Sequence, residues 1–497
     1  MAGALAPSIN GVHLLPFHPS SSDGGFSVED YAVVDSDFGS WADVQALGAQ
    51  GRMMADAVIN HVSSQGTWFR GHLAGDPAFA DFFRVVPDGT DLAAVQRPRP
   101  GLPVTRFARS DGSEAQYWTT FGADQVDLDY RSPEVLVAAV EAVLRYIAAG
   151  ASAVRLDAIA FVGKDPATSS MHLPEAHSIV AIIRDCVQEV DPSVVLITET
   201  NVAHNDNISY LGSVARPEAH AVYQFTLAPL VLHAVQTGDV DPLIRWAAQL
   251  DSPPETTVLN FLASHDGVGV RPAIGWLDSA QIEAMADRCR ESGGVVNEAA
   301  VPGGAEPYEL AATWRALCGV GIGGPFTVDE VARRHLATHS IALALAGIPL
   351  VYVHSLVASA NAVERWSRTQ IGRDLNRGRF SSVGDFVDRM SGGDLAGIVA
   401  TGMHELLGWR GSSGAFHPDS SQRVLAAPPG VFAIERSGRG ERARVITNMS
   451  GVGATVEVGS GWRRFDSTVV SPPRLEIGPW EAIWLRRVDE SGVVSAR

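Results

Sequence analysis

Cysteine is scarce in this sequence. Three residues, Cys186, Cys289 and Cys318, are scattered over 497 positions. That is too few for a disulfide framework or a cysteine zinc site, and it makes a reducing cytosol the default expectation. The opening "MAGALAPSIN" has neither the basic stretch nor the apolar core of a signal peptide. No run of about 18 apolar residues suggests a membrane span, and there are no repeats or low-complexity tails. Positive charge is also in deficit: 38 Lys and Arg face 56 Asp and Glu, a net charge of -18. Such a field repels nucleic acid and anionic membranes, so an anionic substrate needs a local cluster of cations.

What is present is an ordinary globular composition, 46% hydrophobic and 19% charged, in a chain long enough for a large barrel with smaller domains. Short apolar runs read as buried parallel strands: 11–17, 52–60, 151–158, 194–200, 220–225, 256–266 and 348–355. Helical patterns lie between them. In "SPEVLVAAVEAVLRYIAAG", Ser132 reads as N-cap, Pro133 as the first helical residue and Gly150 as the stop. The alternation predicts an α/β fold, a (β/α)8 barrel with functional residues at the C-terminal ends of its strands. The expected division is a barrel from 1–61, 126–267 and 331–418, insertions at 62–125 and 268–330, and an antiparallel β domain at 419–497. Only seven strand-like runs are counted, whereas a closed barrel needs eight. A misplaced chain start, an incomplete barrel and closure by an unrecognised segment all stay open.

Polar residues gather at the predicted strand ends: Asp56, Asn60 and His61; Arg155 and Asp157; Glu199; His265 and Asp266. An isolated Arg-x-Asp is as a rule a buried ion pair. The ordered set at one barrel mouth points instead to glycosyl transfer, in which one carboxylate attacks the anomeric carbon and another moves the leaving group's proton. Arg155 beside Asp157 keeps that acid ionised and oriented.

Four segments carry a resemblance to the α-amylase superfamily, glycoside hydrolase family 13: "DAVINH" (56–61), "GASAVRLDA" (150–158), "ITETN" (197–201) and "NFLASHD" (260–266). The resemblance implies Asp157 as nucleophile, Glu199 as general acid/base and Asp266 as transition-state stabiliser. Arg155, His61 and His265 would hold the sugar. "GVHLLPFHPSSSDGGFSVEDY" and "YWTTFGADQVDLDY" resemble the sucrose phosphorylase subfamily more specifically. This implies sugar contacts from Asp23 and Gln125, an apolar platform from Phe26 and Phe121, no metal and no organic cofactor. A sugar or sugar phosphate and inorganic phosphate would be the partners, and the chain a cytoplasmic monomer or homodimer.

The acceptor side departs from plain sucrose phosphorylases: Phe161 stands where they carry Tyr, Asn201 where they carry His, and Ala362 and Ala311 where they carry Asp and Asn. "TETN" and "HLPE" resemble relatives acting on sucrose 6'-phosphate or glucosylglycerate, both with anionic aglycones. The run 364–379 offers Arg365, Arg368, Arg373, Arg377 and Arg379 against Glu364 and Asp374, and Arg suits bidentate oxyanion binding. His354 and Arg97 or Arg99 are further candidates. The expected activity is phosphorolysis of an α-glucoside of an anionic acceptor, sucrose 6'-phosphate first, then glucosylglycerate or sucrose. A hydrolase or transglucosidase, and an inactive sugar-binding protein, are the other classes.

Overall fold

The computed structural model describes residues 8–98, 101–250, 253–301, 304–466 and 474–487. Seven parallel strands make one sheet in sequential order: β1 (Gly11–Leu14), β2 (Arg52–Val58), β3 (Ala153–Asp157), β4 (Val195–Thr198), β5 (Ala221–Tyr223), β6 (Thr257–Asn260) and β7 (Ile348–Pro349). All seven strand-like runs of the sequence therefore lie in it. β1 and β7 are its two edges, and an eighth strand is not among the described residues. Val12 and Ile348 on those edges are 36% and 37% exposed, unlike the strands between.

Helices follow the strands as crossovers. α1 is Trp41–Gly48, α2 Pro133–Ala148, α3 Pro174–Val190, α4 Leu227–Thr237 and α5 Val328–Ala344. α2 starts after Ser132 with Pro133 at its first position, and the chain leaves it through Gly150 at φ +92°, a left-handed conformation that glycine adopts without steric cost. Outward-facing strand residues such as Val154 and Leu156 pack with Val143, Ile179 and Ile183 of these helices. Inward-facing Met54, Ile197, Tyr223, Leu259 and Phe261 fill the barrel interior.

Register then decides what meets at the mouth. β2 and β3 pair Asp56 with Arg155 and Val58 with Asp157, and β3 and β4 pair Leu156 with Thr198. Asp157 and Glu199 consequently leave neighbouring strands at the same level. Two excursions rise around them. One carries the antiparallel strands Val85–Val86, Val104–Ala108 and Glu114–Trp118; the other carries Val268–Gly269, Val295–Val301 and Gly304–Ala311. Beyond the barrel, a five-stranded antiparallel sheet spans 421–487 and docks on α5, where Trp484 Nε1 donates to Ser340 Oγ at 2.8 Å. No helix among the described residues is long and apolar enough to cross a membrane.

Candidate active site

The strand period of two puts Arg155 and Asp157 on the same, inner side of β3. Arg155, 2% exposed, donates through Nη1 to Asp56 Oδ1 at 2.6 Å and to Asp157 Oδ1 at 2.7 Å. Its Nη2 lies 3.7 Å from Glu199 Oε2, and the guanidinium lies over the rings of Tyr223 and Phe26 at 5.5 and 5.8 Å. One buried cation thus organises three carboxyl groups. Glu199 also accepts a hydrogen bond from the Ala158 amide at 3.0 Å. Ala158 itself is held at φ +50°, a conformation that alanine adopts only under constraint from its surroundings.

These groups do not ionise alike. Burial pushes Asp56 up, but Arg155 and His13 outweigh it and leave the carboxyl below its ordinary range. For Asp157 and Glu199 burial dominates, and repulsion from the neighbouring carboxylates adds to it, so both are raised against the pull of Arg155. The two carboxyl groups titrate as a coupled pair. Arg155 lies closer to Asp157, at 2.7 Å, than to Glu199, at 3.7 Å, so its pull acts more strongly on Asp157.

Asp266 is held from the far side. Arg373 Nη1 is 2.7 Å from Asp266 Oδ1, and Arg377 Nη2 is 3.6 Å from the same oxygen. Arg373 in turn donates bidentately to Glu309, Nε to Oε1 at 3.0 Å and Nη2 to Oε2 at 2.6 Å, and Asn297 Nδ2 adds a third bond to Glu309 at 2.9 Å. Glu309 is 0% exposed. Removing one partner of such a buried pair strands the other charge. Arg373→Ala should therefore cost about 3–5 kcal/mol in urea unfolding, and adding Glu309→Gln should restore most of it.

The open cavity above these groups, about 600 Å³, is lined by Asp23, Phe26, His61, Phe121, Gln125, Asp157, Glu199, Asn201, His265 and Asp266. Ten of the residues singled out in the sequence thus share one wall. Arg155 lies beneath it, and Arg377 braces it, with Nη1 donating to Asp23 Oδ1 at 3.1 Å and Nε to the His265 carbonyl at 2.8 Å. The Phe26 and His265 rings stack at 4.6 Å. Asn201 fits against Gly269, where a Cβ would come within 2.4 Å of its Oδ1.

Four candidates are placed differently. His354 spends both ring nitrogens, Nδ1 with Ser359 Oγ and Nε2 on the Gly378 carbonyl, each at 2.9 Å, and faces a separate cavity of about 240 Å³. Its strand ends at Pro349 and the chain has already turned into the helix Val353–Leu356. Arg97 braces its own loop by donating to the carbonyls of Thr120 and Leu102. Arg365 pairs with Asp374 at 2.8 Å on the helix Val363–Thr369, outside the cavity lining. Arg99 lies outside the described residues. Within the arginine run, Arg373 and Arg377 reach the site, whereas Arg368 and Arg379 are exposed.

The lining also includes Tyr308, Pro98 and Phe161, and its supports include Glu309 and Lys164. Lys164 had a signal in the composition: it is the single lysine of the chain. Glu309 had none, because its partner lies 64 residues away on another loop.

Comparison with known proteins gives the family. The family described as "Alpha amylase, catalytic domain" matches residues 8–272. The chain is 44% identical over 438 residues to a glucosylglycerate phosphorylase of Allomeiothermus silvanus, covering 87% of this chain and 78% of that protein. It is 38% identical over 482 residues to a glucosylglycerate phosphorylase of Escherichia coli, covering 96% and 85%. In fold it matches the crystal structure of sucrose 6F-phosphate phosphorylase from Thermoanaerobacter thermosaccharolyticum with a TM-score of 0.78 at 23% identity, over 89% of this chain and 87% of that one. The chain belongs to the α-amylase superfamily, glycoside hydrolase family 13, among its glycoside phosphorylases.

Proposed function

We propose that the chain is a retaining phosphorylase of glucosylglycerate, yielding α-glucose 1-phosphate and glycerate. The observation that carries this reading is the pair Asp157 and Glu199 on adjacent strand ends with Arg155 between them. Asp157 attacks the anomeric carbon while Glu199 gives its proton to the departing glycerate oxygen, and a glucosyl ester of Asp157 forms. A phosphate oxygen then attacks the same carbon, Glu199 takes its proton, and the ester bond breaks back to Asp157. Two inversions leave the α configuration. Asp266, fixed by Arg373 and Arg377, supplies negative charge where the oxocarbenium-like cation develops.

The names of the relatives at 44% and 38% identity support glycerate over fructose 6-phosphate as acceptor. The described lining holds the carboxyl groups of Asp23, Asp157, Glu199 and Asp266, and the cations beside them, Arg155, Arg373 and Arg377, are each already paired with carboxyl groups. Sucrose 6'-phosphate, the first expectation from sequence, becomes the second reading; it rests on the absence of a carboxylate at Ala362. The test runs in the synthetic direction, with α-glucose 1-phosphate as donor and phosphate release as readout. Glycerate should exceed fructose 6-phosphate and fructose as acceptor by at least about tenfold, a difference of about 1.4 kcal/mol. A faster rate with fructose 6-phosphate would reverse the order.

A further inference from the structure

The single lysine of this chain sits just past the turn Ile159–Phe161 that follows β3, with its side chain only 3% exposed. Its Nζ pairs with Asp127 Oδ2 at 2.7 Å, donates to Asn60 Oδ1 at 3.0 Å, and donates to the Phe161 carbonyl. An ammonium group has three donors and no acceptor. The Asn60 atom facing it is therefore the oxygen, and the amide nitrogen faces His61, with Nδ2 3.1 Å from Nδ1. An amide nitrogen only donates. His61 Nδ1 is thus the acceptor, and the ring proton resides on Nε2.

That proton has a place to go: His61 Nε2 donates to the Phe26 carbonyl at 2.9 Å. The carbonyl has two lone pairs and accepts Gln125 Nε2 at 3.1 Å as well. Gln125 Nε2 is also 3.1 Å from His61 Nε2, which would suit the opposite tautomer. That tautomer sets His61 Nδ1–H against the Asn60 amide nitrogen, and turning the amide over would aim its nitrogen at the Lys164 ammonium. The Nε2–H arrangement forgoes only the Gln125–His61 bond, and the Gln125 amide hydrogens have other acceptors in the Phe26 carbonyl at 3.1 Å and Asp23 Oδ2 at 3.4 Å.

We propose that Lys164 is a positioning residue which, through Asn60, holds His61 in its Nε2–H tautomer and so fixes the hydrogen bond from the imidazole to the Phe26 carbonyl at the cavity wall. The same ammonium anchors the carbonyl of Phe161, whose ring meets Phe121 at 5.1 Å, and Phe121 meets His61 at 5.2 Å. One cation thereby ties the loop after Asp157 to both walls of the pocket. Burial lowers the His61 pKa below its ordinary value, with Asp127 and Asp23 opposing and Lys164 adding to the effect. A neutral imidazole is where the choice of tautomer matters.

The test is long-range proton–nitrogen NMR on protein labelled at histidine, at neutral pH, with the His61 signals identified by their loss in His61→Gln. The unaltered enzyme should show the Nε2–H pattern. In Asn60→Asp, Lys164 engages one carboxylate oxygen and the other becomes an acceptor facing Nδ1, so the pattern should change to Nδ1–H. In Lys164→Met combined with Asp127→Asn, which strands neither buried charge, Asn60 is free to turn and both tautomers should appear. An Nδ1–H pattern in the unaltered enzyme, or an unchanged Nε2–H pattern in either variant, would overturn the proposal. A kinetic arm rests on the phosphorylase reading: Asn60→Asp should lower kcat/KM for glucosyl transfer between about 10- and 100-fold, the cost of one mismatched buried hydrogen bond. A changed tautomer with unchanged kinetics would leave the Lys164 assignment standing and count against the sugar contact of His61.

Discussion

Asp157→Asn should lower kcat/KM for glucosyl transfer by about 10⁴-fold or more, the loss expected when a covalent nucleophile is removed. The amide keeps the shape of the carboxylate but cannot attack the anomeric carbon. The fold should not suffer. Arg155 keeps Asp56 at 2.6 Å and Glu199 at 3.7 Å, and the site loses one of three mutually repelling buried acids. The pH dependence follows from the raised pKa of Asp157. A carboxyl whose folded value is raised contributes stability in acid, and that contribution is lost as pH rises through the raised value. The Tm of the variant should therefore match or exceed that of the parent at neutral pH, with the difference shrinking in acid. Thermal scans across that range check it. A variant that is inactive because it is unfolded would remove the support for Asp157 as nucleophile.

Glu199→Gln should separate substrates by their leaving groups. Glucosylglycerate needs its leaving oxygen protonated, so its phosphorolysis should fall by about 10²–10⁴-fold, the usual worth of a general acid. α-Glucosyl fluoride needs no such proton, and its rate of enzyme glucosylation should change by less than about tenfold. The raised pKa of Glu199 gives this role a pH signature, because burial keeps the acid form populated above the ordinary carboxylate range. In the parent enzyme, kcat/KM for glucosylglycerate should fall as pH rises through that value, and kcat/KM for the fluoride should not. Equal losses on both substrates would show that Glu199 acts on something other than the leaving group.

Much of this was legible because strands impose a period of two and helices announce their ends. All seven runs read as strands pair in one sheet. Ser132, Pro133 and Gly150 bound α2 as their conformational preferences require. The acids at the strand ends converge because parallel register brings equal levels of neighbouring strands together. Long loops follow no such rule, and the acceptor side is built from them. His354 lies within the run 348–355 that reads as a strand, yet β7 is two residues long and a helix carries the ring away to a side cavity. Arg365 looked available, but Asp374 lies near enough on the folded chain to take it. Conversely, Glu309 and Arg373 are joined by tertiary contact alone. Lys164 falls between these cases. Its rarity was visible in the composition, whereas its role depends on Asn60 at the barrel mouth and on Asp127 at the end of the first excursion.

The central claim, a double displacement through Asp157 that ends on phosphate, is tested most directly by following the first product of glucosylglycerate in phosphate buffer by proton NMR. The account predicts the α anomer of glucose 1-phosphate, formed at the rate at which glycerate appears. The β anomer would contradict the covalent intermediate, and free glucose in place of the phosphate ester would contradict phosphorolysis.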